Sequence, residues 1–289
     1  MVNKYFTVEV KPPIDADLLN GGVLASDDDV IFSWTPFEIP KGSSRLLNVT
    51  ARVAGTDGTA QHLPFQLLFA KCAINATTGV MTNPPSIGEY NTVATAIKSL
   101  NEIIGGIKIE AIDYMCQSLV GCSIASTGNS VAANGSNVDM VLTPNAEHSH
   151  GHSRYSLDAT DILGTVGDIV TVTPGYDVLW VAGIACGAFD FTSTVKTDGA
   201  VAKNSTTIHT DTKDANLVFS IGDVIQELDN TLIGTITAIG ANDGGGAHDV
   251  DITVVRGEQA GGDRGQDGIA DGVRIYHRHP ITLELSFEK

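Results

Sequence analysis

The run of residues 177–191, Asp-Val-Leu-Trp-Val-Ala-Gly-Ile-Ala-Cys-Gly-Ala-Phe-Asp-Phe, constrains the fold more than any other stretch of the chain. It is the most apolar uninterrupted segment, and the turn pair Pro174-Gly175 precedes it. At about 15 residues it falls short of the roughly 20 that a bilayer-spanning helix needs. Gly183 and Gly187, set among β-branched and aromatic side chains, argue against a buried helix. The expectation is a buried strand at the centre of a β-core, bent or bulged near its glycines.

The flanking chain reads as short strands cut by turn signals. Tyr5, Thr7 and Glu9 alternate with Phe6, Val8 and Val10 until Pro12-Pro13 ends the pattern. Further strands are expected at 30–34, 37–40 and 45–54, the last with Leu47, Val49, Ala51 and Val53 on one face. A Gly55-Thr56-Asp57-Gly58 hairpin-type turn leads into 61–73. Residues 15–29 read as a loop. At 91–104, Val93, Ile97, Leu100 and Ile104 recur at helical spacing, with Asn91 to cap the start and Gly105-Gly106 to end it. Residues 108–113 return to alternation, 113–124 fit strand or helix, and 123–137 read as a Gly-rich surface loop or arm. A short strand is expected at 138–142.

Beyond Tyr155 the sequence is again β. Thr165-Val166-Gly167-Asp168-Ile169-Val170 resembles Ser220-Ile221-Gly222-Asp223-Val224-Ile225, a Gly-Asp step before a β-branched pair. The second copy continues through a polar tip into 232–239 as a hairpin. Gly/Asp-rich loops at 240–248 and 257–272 surround a strand at 250–256. Ile281, Leu283, Leu285 and Phe287 give the last strand its apolar face. Strands at turn-bounded intervals of roughly 8–12 residues mark a sandwich or barrel. The expected fold is mainly β, a β-sandwich or jelly-roll-like body with one short inserted helix and long Gly/Asp-rich loops. The domain reading is an N-terminal β-sandwich region, 1–155, and a C-terminal β region, 156–289, or one continuous domain whose terminal strands lie close.

Charge narrows the function classes. The chain carries 34 acidic and 17 basic residues, a net charge of −17, while 42% of its 289 residues are hydrophobic. A core is possible, and the field repels nucleic-acid phosphate and anionic membrane, so neither is expected as a partner. The first residues contain no apolar signal core, which suggests synthesis in a cytoplasm. Cys116 and Cys122 stand too far apart for a common zinc or redox motif. Cys72 and Cys186 lie in apolar runs, where free buried thiols are expected.

Three polar clusters invite a metal. His148, His150 and His152 alternate, but without a further ligand a solvated loop is favoured. His277 and His279 flank Arg278 before Pro280 and are expected to point outward. Asp263, Asp267 and Asp271 recur every four residues among glycines, yet match neither an EF-hand nor a β-helix calcium repeat, so an acidic surface loop is favoured. Asp27-Asp28-Asp29 reads as a solvated run. Trp34 and Trp180 sit in apolar strands and belong to the core before any ligand platform. No nucleophile elbow, phosphate loop, zinc-protease or dinucleotide motif occurs. No catalytic, cofactor-binding or metal residue is therefore assigned, and no cofactor.

The segments 180–191, 218–225 and 232–236 together resemble virion structural proteins of tailed phages, closest to those of marine cyanobacterial phages. The resemblance implies a non-enzymatic head decoration or cement protein that sits on the outside of a capsid. Its expected partners are the major capsid protein and other copies of itself, a trimer being favoured. The alternatives are the major capsid protein itself, or a tail or fibre component with a carbohydrate-binding β-sandwich.

Overall fold

The computed structural model describes residues 4–14, 16–19, 28–55, 61–74, 81–82, 84, 87, 102–115, 122–127, 138–144, 154–156, 169–211, 215–229, 231–240, 250–256 and 268–289. In chain order the strands are β1 (Tyr5–Val10), β2 (Val30–Pro40), β3 (Ser44–Ala54), β4 (Phe65–Lys71), β5 (Ala73–Ile74), β6 (Met81–Thr82), β7 (Ile103–Ile109), β8 (Cys122–Ser126) and β9 (Met140–Leu142). There follow β10 (Arg154–Ser156), β11 (Ile169–Thr171), β12 (Tyr176–Ala185), β13 (Thr207–Thr210), β14 (Val224–Gln226), β15 (Leu232–Ile239), β16 (Val250–Arg256), β17 (Tyr276–His277) and β18 (Ile281–Glu288). Among the described residues, helices are confined to single turns, α1 (Ala16–Leu19), α2 (Ala215–Val218) and a 3-10 turn at Ala111–Asp113. The protein is mainly β, as its turn-punctuated pattern requires.

Two antiparallel sheets form a sandwich. One has the order β1-β18-β3-β8, with β9 also on β3; the other has the order β2-β12-β4-β7. Between them lie Val49, Ala51, Val53, Leu283, Leu285 and Phe287 from the first sheet, against Phe37, Ile39, Leu67, Phe69, Leu179 and Val181 from the second. The ring of Phe287 stacks on Phe6 at 5.2 Å and on Phe37 at 6.3 Å, tying β18 to both β1 and the facing sheet. The terminal strands pair along their length, from Tyr5 opposite Glu288 to Val10 opposite Leu283. A second antiparallel sheet system, β13-β16-β15-β14-β17, encloses its own apolar cluster of Ile208, Phe219, Ile225, Ile236, Ile252 and Ile275. The order β11-β10-β6-β5 forms a small mixed sheet, parallel where β10 meets β6.

The apolar run becomes β12, an interior strand of its sheet. Leu179, Val181 and Ala185 face the sandwich core, while Val178, Trp180, Ala182 and Ile184 face a second buried cluster with Trp34, Leu68, Cys72 and Val172. Burial on both faces is why the run shows no polar alternation. Pairing with β4 is regular from Leu179 to Ala185, but pairing with β2 slips on both sides of Gly183. A Cβ at Gly183 would overlap the Phe32 ring, so glycine here makes room for a neighbour across the bulge. Among the described residues β2 pairs with β12 alone, and an edge position is where a sheet accepts a proline such as Pro36.

Several sequence expectations are corrected. Residues 91–101 of the expected helix lie outside the described residues, and its last residues, Ile103 and Ile104, begin β7. Gly105 and Gly106 stop no helix; they lie opposite Phe69 and Leu68, and Met140 occupies the space a Gly105 Cβ would need. The strand expected at 108–113 ends at Ile109, with the 3-10 turn following it. Residues 123–126 are not loop but belong to β8, where Ser123 and Ala125 are buried; small side chains suit a strand lying close against β3. Ser126 and Thr127 both donate to Asn48 Oδ1, at 3.2 and 2.9 Å, which ties the end of β8 to β3.

Gly55 does not lead into a hairpin. β3 pairs with β18, β8 and β9, whereas β4 pairs with β12 and β7, so the chain crosses between layers there. Turn chemistry reverses a chain without specifying what the next strand pairs with. On β3, Leu46 rather than Leu47 is buried in the core, because the register slips opposite Ser286 and Phe287 and one extra residue changes the face presented. The expected 224–239 hairpin does form, as β14 and β15, closed by Glu227 N–H donating to Thr231 O at 2.9 Å.

Placing a methyl at residue 183 should force the Phe32 ring or the β2 bulge to move. Gly183→Ala is expected to destabilise the fold by about 1–3 kcal/mol, the usual cost of overpacking. Denaturant unfolding will show this as a lower midpoint, and adding Phe32→Leu should recover part of it.

Candidate functional site

The polar clusters singled out from sequence have different fates. His148, His150 and His152 lie outside the described residues, as do Asp27, Asp263 and Asp267. Asp271 accepts the Gly199 N–H at 2.8 Å and so braces a turn. Asp29 is not solvated: it is only 6% exposed and directly precedes β2, beside Asp28, whose N–H donates to Ala185 O. Among the described residues no group of three or more His, Cys, Asp or Glu side chains is arranged to hold a metal ion. Trp34 and Trp180 are both core residues, and Trp180 Nε1 donates to Cys72 Sγ at 3.2 Å. Burial pushes the Cys72 thiol up to about 11 despite that donor. Cys186 is only half-buried, because it stands just past the end of β12.

The two histidines near the C-terminus do not point outward. His277 is 6% exposed and packs against the Phe219 ring, 4.7 Å between centroids. β17 is short and pairs with β14, so His277 lies opposite Ile225 and is drawn into the interior. Alternation at 277–279 is real, but the layer in front of it makes one side a core. His279 is half-buried, with Nδ1 3.4 Å from Pro12 O. Burial lowers its pKa to about 4, reinforced by Arg278 and Lys11 and opposed by the Pro12 carbonyl and Glu9.

His277 belongs to a polar cluster at the seam between the sandwich and the C-terminal sheet. Ser220 to Asp223 form a tight turn: Asp223 N–H donates to Ser220 O at 3.1 Å, and Gly222 takes a φ of 97°. Such a φ favours glycine, which explains the Gly-Asp step seen in sequence. The Asp223 side chain folds back to accept the Ser220 N–H at 2.8 Å through Oδ2. Its Oδ1 meets Arg52 Nη2, from β3 in the sandwich, at 2.9 Å. Burial works against the Arg52 charge, but Asp223 and the Cys122 thiol outweigh it and hold its pKa above the ordinary arginine value.

This ion pair stands in the wall of a cleft of about 570 Å³. Its floor is the outer face of the first sheet, with Glu9, Glu284, Thr50 and Arg52, and its far wall is the turn that carries Ile221, 69% exposed. Glu9 and Glu284 are direct cross-strand neighbours, and Lys11 meets Glu9 at 2.9 Å. The arrangement joins two layers and offers a mixed-charge surface; among the described residues it brings no nucleophile to hydrogen-bond distance of a base. Sequence reasoning did not find the seam, because Arg52, Asp223 and His277 are far apart in the chain and each lies in an ordinary strand or turn.

Because the folded state favours neutral His279, its contribution to stability is full above the unfolded pKa near 6.5 and is lost as pH falls toward about 4. His279→Gln should flatten the stability curve across that window in pH-dependent denaturant melts. Arg52→Met leaves the Asp223 carboxylate buried with one backbone donor and should cost about 2–3 kcal/mol at neutral pH in the same assay.

Compared with known proteins, the chain matches no family model, and no curated protein is similar to it at a significant level.

Proposed function

We propose that this chain is a non-enzymatic structural protein of a tailed-phage virion, a decoration or cement protein bound to the outer capsid surface. The observation that carries the reading is where the acid excess lies. Of the buried described carboxylates, Asp113, Asp177 and Asp223 each accept a backbone N–H, from Glu110, Gly42 and Ser220 at 2.8, 2.6 and 2.8 Å. These three act as staples for turns, and Asp29 is the fourth buried acid at the start of a strand. The other described acidic side chains are half-buried or exposed, on a chain whose net charge is −17. An acidic surface on a rigid β-body complements a basic shell and speeds docking on it.

Apolar contacts supply the affinity that charge alone does not. Ile112 and Met115 are exposed on the segment after β7, Ile221 caps the cleft wall, and Val255 is exposed on β16. In this reading they meet the major capsid protein or neighbouring copies in a homotrimer. The segments that carry the phage resemblance supply β12 and the β14–β15 hairpin, which are scaffold; binding is assigned to the surfaces they hold up.

The expected result is that purified protein is a soluble oligomer and rebinds expanded capsids stripped of it. Binding should weaken as salt rises from 0.1 to 1 M, where the screening length shrinks from about 10 to about 3 Å. No rebinding at any salt concentration overturns the proposal.

A further inference from the structure

The seam cluster holds a geometric conflict with a consequence for its behaviour in acid. His277 Nε2 lies 2.9 Å from Val218 O. A carbonyl only accepts, so Nε2 carries the hydrogen. In the neutral ring Nδ1 then has a lone pair, and it faces Asp223 Oδ2 at 3.5 Å, too far for a hydrogen bond. The groups around the imidazole are the Asp223 carboxylate, the Val218 carbonyl, the Phe219 ring and, from the sandwich, the Arg52 guanidinium. Asp223 thus has one cation, Arg52, and one unprotonated neighbour that becomes a second cation on taking up a proton.

We propose that His277 is an acid-operated release for the seam between the sandwich and the C-terminal sheet. A proton from solvent adds to Nδ1, and the imidazolium donates it as a charge-assisted bond to Asp223 Oδ2. Such bonds close to about 2.7–2.9 Å, so the carboxylate and its turn are drawn toward β17 and away from β3. One buried carboxylate does not balance two cations. Arg52 is the one that can leave, since its side chain is 35% exposed and borders the cleft. Its departure uncovers Cys122, which is buried, lines the same cleft and is reached by the Arg52 side chain. Burial and Arg52 hold His277 below the ordinary histidine value, opposed by Asp223 and the Val218 carbonyl, so the release belongs to acid and not to neutral conditions.

The test uses the full-length protein and dithiodipyridine, with Cys122 modification located by mass spectrometry and rates normalised to a free thiol at each pH. Imidazole nitrogen NMR follows His277 in the same samples. The wild type should show Nδ1 protonating below pH 6.5 while the protein stays folded, with Cys122 reactivity rising several-fold over the same range. His277→Gln keeps a donor to Val218 O but takes up no proton, and its Cys122 should stay protected throughout. Asp223→Asn removes the carboxylate that both cations share, so Cys122 should react rapidly and without pH dependence. Three results overturn the proposal: a His277 that stays neutral until global unfolding, a titrating His277 with no change at Cys122, or a His277→Gln variant with the wild-type acid response. If His277→Gln does not fold, the wild-type NMR and labelling curves decide it, since their midpoints must coincide.

Discussion

Burial of β12 on both faces is the constraint from which most of the architecture follows. Its side chains contribute to two separate apolar clusters, so each face needs its own covering layer. Each large apolar side chain buried this way contributes about 1.5–3 kcal/mol, and Trp180 and Leu179 are fully inaccessible. An interior strand has no water for its backbone either, so every N–H and C=O must find a ladder partner. β2 and β4 provide those partners. The one irregularity falls at Gly183, where the Phe32 ring takes the place of a side chain. A bulge on the β2 side alone lets the edge strand bend while the β4 side keeps its register.

The sheet that faces β12 is closed by the two ends of the chain. β1 and β18 pair over six residues, and Lys4 and Lys289 exchange backbone hydrogen bonds beyond them. β1 and β18 are far apart in sequence, so this pairing makes the sandwich depend on non-local contacts. The C-terminal sheet hangs between β12 and β18 in sequence, and it meets the sandwich through the Arg52–Asp223 pair. The same carboxylate folds its own turn through Ser220 N–H. A single side chain thus couples a local turn to an interlayer contact, which makes the seam sensitive to anything that competes for that carboxylate.

What could be read from sequence follows from how local each signal is. The alternation of β1 and β18, the bulge in β12 and the 224–239 hairpin depend on neighbouring residues and were legible. The face shown by β3 was misread because one bulge exchanged Leu46 for Leu47, and nothing at residues 45–54 encodes where β18 slips. Ile104 fits a helical spacing equally well until β4 is present to pair with its neighbours Ile103 and Gly105. The seam was illegible for a stronger reason: its members are contributed by β3, a turn and β17. His277 read as exposed because alternation identifies two sides of a strand without saying which side another layer will cover.

An architecture built around β12 requires that strand to be the most protected element. Native-state amide hydrogen exchange measures this directly, since amides that open only by global unfolding report the full stability of the protein. The amides of Leu179 to Ala185 should exchange with the global unfolding free energy, at or above every other described strand. Exchange of those amides through a cheaper local opening, while β15 and β16 remain protected, would contradict it.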